Sequence, residues 1–482
     1  MNGKKILFVG AEVMPFAATG GLGDVMGSLP AALKAKYGND ADVRVIMPLY
    51  DTVKPEVRAE MKREAEFNVK LSWRNLYCGL YSLERDGVIF YFVDNEYYFK
   101  RGALYGHFDD GERYAYFCKA VMTAMSTLRF YPDVLHANDW QSALTVVYLH
   151  TQYKYRPEYA GIKSVFTIHN IEYQGKYDFS ILQDVFDVSP QYYTVMEYGG
   201  AINLVKAAIS CADRVSTVSP TYAKEIMTPE YAHGLHHILR AEAGKVCGIL
   251  NGIDTTYYNP DADADIPVNY NAESIERKKE NKLALQRENG MPECADAPMI
   301  AVISRLASHK GIDIISEMLE RLLSRYPDAQ FVVLGTGERQ YEDYFRGLEY
   351  RLGNRVRAFI TYNRALSKKI YAAADVFLMP SKSEPCGLSQ MIAARYGAIP
   401  VVRETGGLYD SIQPYYEDEN GMHGNGFTFS NYLAGELEER ASAALDLYYS
   451  GDKFKGLVYR AMTTDFSWDA SAEKYMEMYN GL

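Results

Sequence analysis

A chain of 482 residues, 48% hydrophobic and 23% charged, reads as an ordinary globular protein too long for one core, so two or three domains are expected. Its formal net charge of −11 argues against the basic face that a nucleic-acid backbone requires. No window reaches the roughly 18 apolar residues of a membrane span, and six scattered cysteines without a C-x-x-C pair fit a reducing, cytoplasmic compartment better than a disulfide scaffold.

The opening "MNGKKILFVGAEVMPF" has the outline of a signal peptide, but its apolar run is short and Glu12 interrupts it. A buried first strand is expected instead. The glycine loop "ATGGLGDV" follows and opens a helix; Gly20 and Gly21 there let backbone N–H groups approach an oxyanion. Such loops usually carry a cation, yet Ala17, Ala18 and Thr19 stand before these glycines. Further along, "DVRVIMPLY", "VIFYFVD", "DVLHAND", "KSVFTIHN", "RVSTVSP" and "KVCGILNG" read as β-branched strands, separated by helical patterns such as Arg113–Phe130 and Trp140–Tyr153. This alternation predicts parallel sheets covered by helices on both faces.

Pro260 to Pro298 breaks the rhythm and reads as the domain junction, a region of about 255–297. The alternation then restarts with "PMIAVISRL", "QFVVLGTG", "VRAFITYN", "DVFLMPS" and "IPVVRETGG". The domains expected are therefore residues 1–245 and 246–462, with a last helical stretch, 463–482, packing back on the first. Two doubly wound α/β domains facing a deep cleft would hold their ligand beyond the carboxyl ends of the strands. "ETGGLYDSI" (Glu404–Ile412) echoes the first glycine loop, one copy in each half.

The candidate chemistry stands at those strand ends. "SRLASHKG" places Arg305 and Lys310 around one turn, where a guanidinium and an ammonium could neutralise a departing diphosphate without a metal. In "MPSKSEPCGLSQ", Glu384 could grip two sugar hydroxyls or face a developing oxocarbenium charge. Cys386 beside it reads as a small buried residue, with no histidine next to it in sequence to make it a nucleophile. "HANDWQ" (His136, Asn138, Asp139, Trp140) and "TIHNIEYQG" (His169, Asn170, Gly175) are polar strand ends in the first half. "HGLHH" (His233, His236, His237) lacks a suitably spaced carboxylate or cysteine, so a polar loop rather than a metal site is expected. The 41 tyrosines include enough near "IFYFVDNEYYFKRGALYG" to suggest stacking on sugar rings.

Seven landmarks in order, "PFAATGGLGDVMGSLP", "HANDWQ", "TIHNIEYQG", "GILNGID", "SRLASHKG", "SEPCGLSQ" and "ETGGL", run from the first strand almost to "FSW" (Phe466–Trp468). In these the chain resembles the bacterial glycogen synthases and plant starch synthases. The resemblance implies a GT-B architecture of two Rossmann-like domains, with a C-terminal helix returning to the first. It implies transfer of glucose from a nucleotide sugar, ADP-glucose being favoured, to the 4-hydroxyl of an α-1,4-glucan with retention at the anomeric carbon. No cofactor, metal, nucleic acid or membrane is called for.

Carried over by motif, the diphosphate pair falls on Arg305 and Lys310, and the acid holding the donor glucose on Glu384. His169 falls near the anomeric carbon, and Asp139 and Asn251 near the transferred sugar. Gly20, Gly21, Gly406 and Gly407 fall on the backbone cradles, with Cys386, Gly387, Leu388 and Thr405 in the donor-binding stretches. Tyr362 takes the place of the base-stacking aromatic. The family pattern is K-T-G-G-L-G-D-V, and its lysine, which approaches the donor phosphate, is Ala18 here. A weakly active or non-catalytic glucan-binding relative is therefore the alternative to an active synthase. A dinucleotide-dependent dehydrogenase is excluded, because about ten residues separate Val9 from Gly20 and the pattern is G-G-x-G.

Overall fold

A computed structural model describes residues 3–482. They form two compact units, one of residues up to Asn251 together with Trp468–Leu482, the other Gly252–Ser467.

The first unit is built on a nine-stranded sheet. In spatial order its strands are Val246–Gly248, Arg214–Thr217, Lys163–Ile168, Val134–Asn138, Lys4–Val9, Ala41–Pro48, Val88–Asp94, Arg74–Arg85 and Lys62–Leu71. The first seven pair in parallel, and the last two add antiparallel. Ile6 to Val9 are all buried, so the apolar run marks a strand covered on both faces. The order reverses between Lys4–Val9 and Val134–Asn138. Glu12 and Asp139 lie just beyond those two carboxyl ends, where a ligand site of such a sheet belongs.

The antiparallel pair Lys62–Leu71 and Arg74–Arg85 is not anticipated above. Its sequence, "KREAEFNVKL", alternates charged and apolar residues because one face meets solvent, so it reads as a charged surface segment.

The second unit holds a six-stranded, wholly parallel sheet ordered Val356–Phe359, Gln330–Leu334, Met299–Ile303, Val376–Met379, Ile399–Arg403 and Phe427–Phe429. Here the order reverses between Met299–Ile303 and Val376–Met379. The loops leaving these strands are the "SRLASHKG" and "SKSEPCGL" stretches.

Two boundaries differ from the sequence reading. The strand Val246–Gly248 closes the edge of the first sheet, so the division falls after Asn251 rather than after 245. Residue 463 ends the helix Asp452–Thr463, and the returning helix is Trp468–Asn480. The stretch from 260 to 298, expected at the junction and within the second domain, is packed into the second unit. Asp263 is buried against Lys368 Nζ (3.1 Å) and the Tyr396 hydroxyl. The Lys278 ammonium donates to three carbonyls, of Tyr371, Ala372 and Tyr396, at 2.8–2.9 Å.

The returning helix is fixed from inside the first unit. His136 is fully buried; its Nδ1 meets the Tyr479 hydroxyl at 2.7 Å and its Nε2 meets Thr167 Oγ1 at 2.5 Å. Lys4 Nζ donates to the Tyr479 carbonyl and Ser471 Oγ to the Leu250 carbonyl, each at 2.5 Å. His136, read above as a polar strand-end residue, is thus part of the frame.

Candidate active site

In the second unit, Lys310 ends a short 3-10 turn, Ser308–Lys310, that follows the strand Met299–Ile303. Gly311 turns the chain at φ +79°, and a side chain there would stand 2.3 Å from the Pro380 carbonyl. That contact brings the two loops together: Lys310 Nζ donates to Glu384 Oε2 at 2.6 Å, and Ser381 Oγ to the same oxygen at 2.9 Å. Glu384 is 6% exposed, so its charge depends on these partners.

The loop carrying Glu384 is clamped from behind. A side chain at Gly406 (φ +44°) would lie 2.0 Å from the Glu384 carbonyl, and one at Gly407 would lie 2.2 Å from that of Cys386. The Gly407 amide donates to the Glu384 and Pro385 carbonyls, both at 3.2 Å. Buried Gln390 donates through Nε2 to the Cys386 and Gly387 carbonyls and to Ser411 Oγ at 3.0–3.2 Å. Gln390 and Ser381 are positioning groups that motif reading did not single out. Thr405 and Cys386 are buried, and Gly387 (φ +72°) and Leu388 lead into the helix Ser389–Arg395.

Arg305 does not share the Lys310 pair. It is exposed, and its nearest side-chain partner is His309 Nε2 at 3.3 Å. Tyr362 is 78% exposed on the loop after Val356–Phe359, its hydroxyl accepting from Arg364 Nε at 2.8 Å.

In the first unit, Asp139 and His169 leave adjacent strands. Asp139 has φ +58°, and its Oδ1 accepts the His169 amide at 2.8 Å. The imidazole Nε2 meets Asn138 Oδ1 at 2.9 Å, which makes Nε2 the protonated nitrogen of a neutral ring. Burial holds His169 down to about 3, so it is neutral throughout the physiological range. Burial pushes Asp139 up to about 7, against the amides of His169 and Asn170, which favour its charged form. Asn251, at the end of the unit, is 4% exposed and its Oδ1 has no hydrogen-bond partner.

The glycine loop differs from expectation. Its Thr19 and Gly20 amides do not stand open to a phosphate; both donate to Glu12 Oε2, at 2.5 and 3.0 Å. Thr19 Oγ1 and the Tyr105 hydroxyl donate to Glu12 Oε1 at 2.9 and 2.7 Å. Glu12 was legible in the sequence only as a break in an apolar run. Ala18 packs so close to Gly23 that a side chain on Gly23 would meet the Ala18 Cβ at 2.3 Å.

His236 opens the short helix His236–Ala241. Among the described residues no three His, Cys, Asp or Glu side chains converge as a metal site, and no helix is long and apolar enough to cross a membrane.

Residues 5–241 match the starch synthase catalytic domain family, and residues 289–455 the glycosyl transferases group 1 family. Over 480 residues the chain is 45% identical to the glycogen synthase of Geobacillus thermodenitrificans, covering 99% of this chain and 98% of that one. The glycogen synthase of Clostridioides difficile is 47% identical over 484 residues, 99% of each chain. The chain belongs to the glycogen and starch synthase family. It is a glycosyltransferase with the GT-B fold of that family. Among solved structures, the starch synthase IV catalytic domain of Arabidopsis thaliana, bound to ADP and acarbose, aligns over 99% of each chain with a TM-score of 0.90 and 33% identity. The sucrose-phosphate synthase of Thermosynechococcus elongatus, 19% identical with a TM-score of 0.61, shares the fold.

Proposed function

We propose that the protein transfers glucose from ADP-glucose to the non-reducing 4-hydroxyl of an α-1,4-glucan, with retention, in the cytoplasm. One observation carries the reading: Lys310 and Glu384 meet as a largely buried ion pair at the reversal point of the second sheet, on the two loops where the synthase motifs fall. In this reading Arg305 and Lys310 take the donor diphosphate, Glu384 the glucose hydroxyls, and Tyr362 the base. The Asp139–His169 pair and Asn251 face the transferred sugar. Binding of ADP and acarbose by the Arabidopsis starch synthase supports a nucleotide donor and a glucan acceptor.

The C1–oxygen bond to the diphosphate breaks as the cations take up the charge of the leaving group. The acceptor 4-hydroxyl attacks the same face, and the departing diphosphate takes its proton. His169, neutral and hydrogen-bonded through Nε2 to Asn138, is suited to a hydrogen-bonding role rather than to carrying charge. No covalent sugar–enzyme bond is required; a glucosyl adduct trapped on Glu384 or Asp139 would overturn this step. The donor itself is a substrate, and the reading invokes no cofactor.

Ala18 removes one cation from the donor side without touching Arg305, Lys310 or Glu384, so activity is lowered rather than abolished. The full-length similarity to glycogen synthases supports this over a non-catalytic glucan-binding role. A primed incorporation assay with ADP-glucose and UDP-glucose, on the parent and on Ala18→Lys, tests it. Glucan extension preferring ADP-glucose is expected; no extension by either protein defeats the proposal.

A further inference from the structure

The two Gly-Gly pairs look alike in sequence but have opposite physical reasons. At Gly406 and Gly407 a side chain would strike the protein's own backbone. At Gly20 and Gly21 a side chain would meet nothing within 4 Å, and neither residue has a positive φ. Neither packing nor backbone conformation within the protein demands glycine there. The open space is on the outer side of the turn, where Thr19, Gly20 and Gly21 are all exposed.

What holds that exposed turn is Glu12. Its carboxylate is 5% exposed and takes four donors, the Thr19 amide and hydroxyl, the Gly20 amide and the Tyr105 hydroxyl, at 2.5–3.0 Å. None of the four is a cation. A buried carboxylate with neutral donors is stable only while all of them stay in place. The turn and the carboxylate therefore fix one another.

We propose that Glu12 is a positioning residue for the donor. Its carboxylate fills the inner side of the Thr19–Gly20 turn, in place of an anionic ligand, and so presents the vacant outer side of Gly20 and Gly21 to the nucleotide sugar. This rests on the donor-loop reading above. The Thr19 and Gly20 amides are then taken by the carboxylate, and what these two glycines offer the donor is open space.

The test uses the whole protein with ADP-glucose and a glucan primer. In Glu12→Ala, amide hydrogen exchange in the peptide holding Thr19 and Gly20 rises at least about tenfold, and KM for ADP-glucose rises about tenfold. Under the proposal kcat and KM for the glucan stay within about threefold of the parent. Glu12→Gln, which keeps an acceptor oxygen in place, restores the donor KM to within about threefold. Unchanged exchange, or a fall in kcat with a rise in KM for both substrates, overturns the proposal. If Glu12→Ala does not fold, Tyr105→Phe and Thr19→Val each remove one donor. Each should raise the donor KM by about threefold, and an unchanged KM in both overturns it. A parent protein with no saturable response to ADP-glucose would instead defeat the donor assignment, a separate and recognisable result.

Discussion

Lys310 donates to the Glu384 carboxylate across 2.6 Å, so two loops 74 residues apart in sequence end on one ion pair. The side chains are 17% and 8% exposed, which puts the pair in the class where losing one partner costs more than losing both. Lys310→Met should destabilise the second unit by about 3–5 kcal/mol, since Ser381 alone remains on a buried carboxylate. Adding Glu384→Gln should recover most of that loss while leaving activity at least about a hundredfold down. Denaturant unfolding of the two single variants and the double one measures this; additive losses would show that the pair is not coupled.

The glycine pairs predict contrasting alanine variants. Gly407→Ala drives a methyl group into the Cys386 carbonyl, displaces the Glu384 loop, and should cost about 1–3 kcal/mol along with nearly all activity. Gly21→Ala meets open space and should leave the unfolding temperature unchanged while raising KM for the donor. Thermal melts and steady-state kinetics on both proteins decide it. Equal destabilisation by the two substitutions would contradict the distinction.

Ala18→Lys should raise kcat/KM with ADP-glucose about ten- to a hundredfold, the worth of one charge-assisted hydrogen bond of roughly 1.5–3 kcal/mol. The backbone need not move, because lysine places the same Cβ against Gly23 that alanine already does. No gain in rate would mean that residue 18 does not reach the donor in this protein.

Buried groups of opposite tendency set the acid behaviour of the first unit. Burial lowers His136 and His169 to about 3, against about 6.5 in an unfolded chain. Their contribution to stability is present above pH 6.5 and is lost as pH falls toward 3, because the unfolded chain binds the extra protons. Asp139, raised to about 7, acts the other way: its contribution is present below about pH 4 and lost as pH rises through 7. Asp139→Asn should therefore show a steeper loss of stability on acidification from pH 7 to 4, and His136→Gln a shallower one. Melting temperatures across that range report it, and slopes equal to the parent's in both variants would refute the assignment.

The parallel strands were readable because burial on both faces leaves continuous β-branched runs such as "KKILFV" and "QFVVL". Their ends carry the polar motifs, so the position of Asp139, His169, Lys310 and Glu384 at strand ends could be anticipated. The hairpin Lys62–Arg85 escaped notice, since a half-solvated strand looks like charged surface. Glu12 escaped for a related reason. A single acid between apolar residues carries no periodic signal, and its four partners include Tyr105, 93 residues away. His136 shows the reverse error: a polar residue at a strand end looks functional until Tyr479, distant in sequence, is seen to hold it.

Because the helix Trp468–Asn480 belongs to the first unit while Gly252–Ser467 forms the second, the chain is out of order with respect to its own architecture. On the ribosome, the sheet around Lys4–Val9 emerges early but waits for the entire second unit before Tyr479 can reach His136. During that interval the second unit can close its own sheet, whereas the first unit lacks one of its helices. Order of synthesis and order of completion are thus inverted, and a segment translated after the second unit finishes the first.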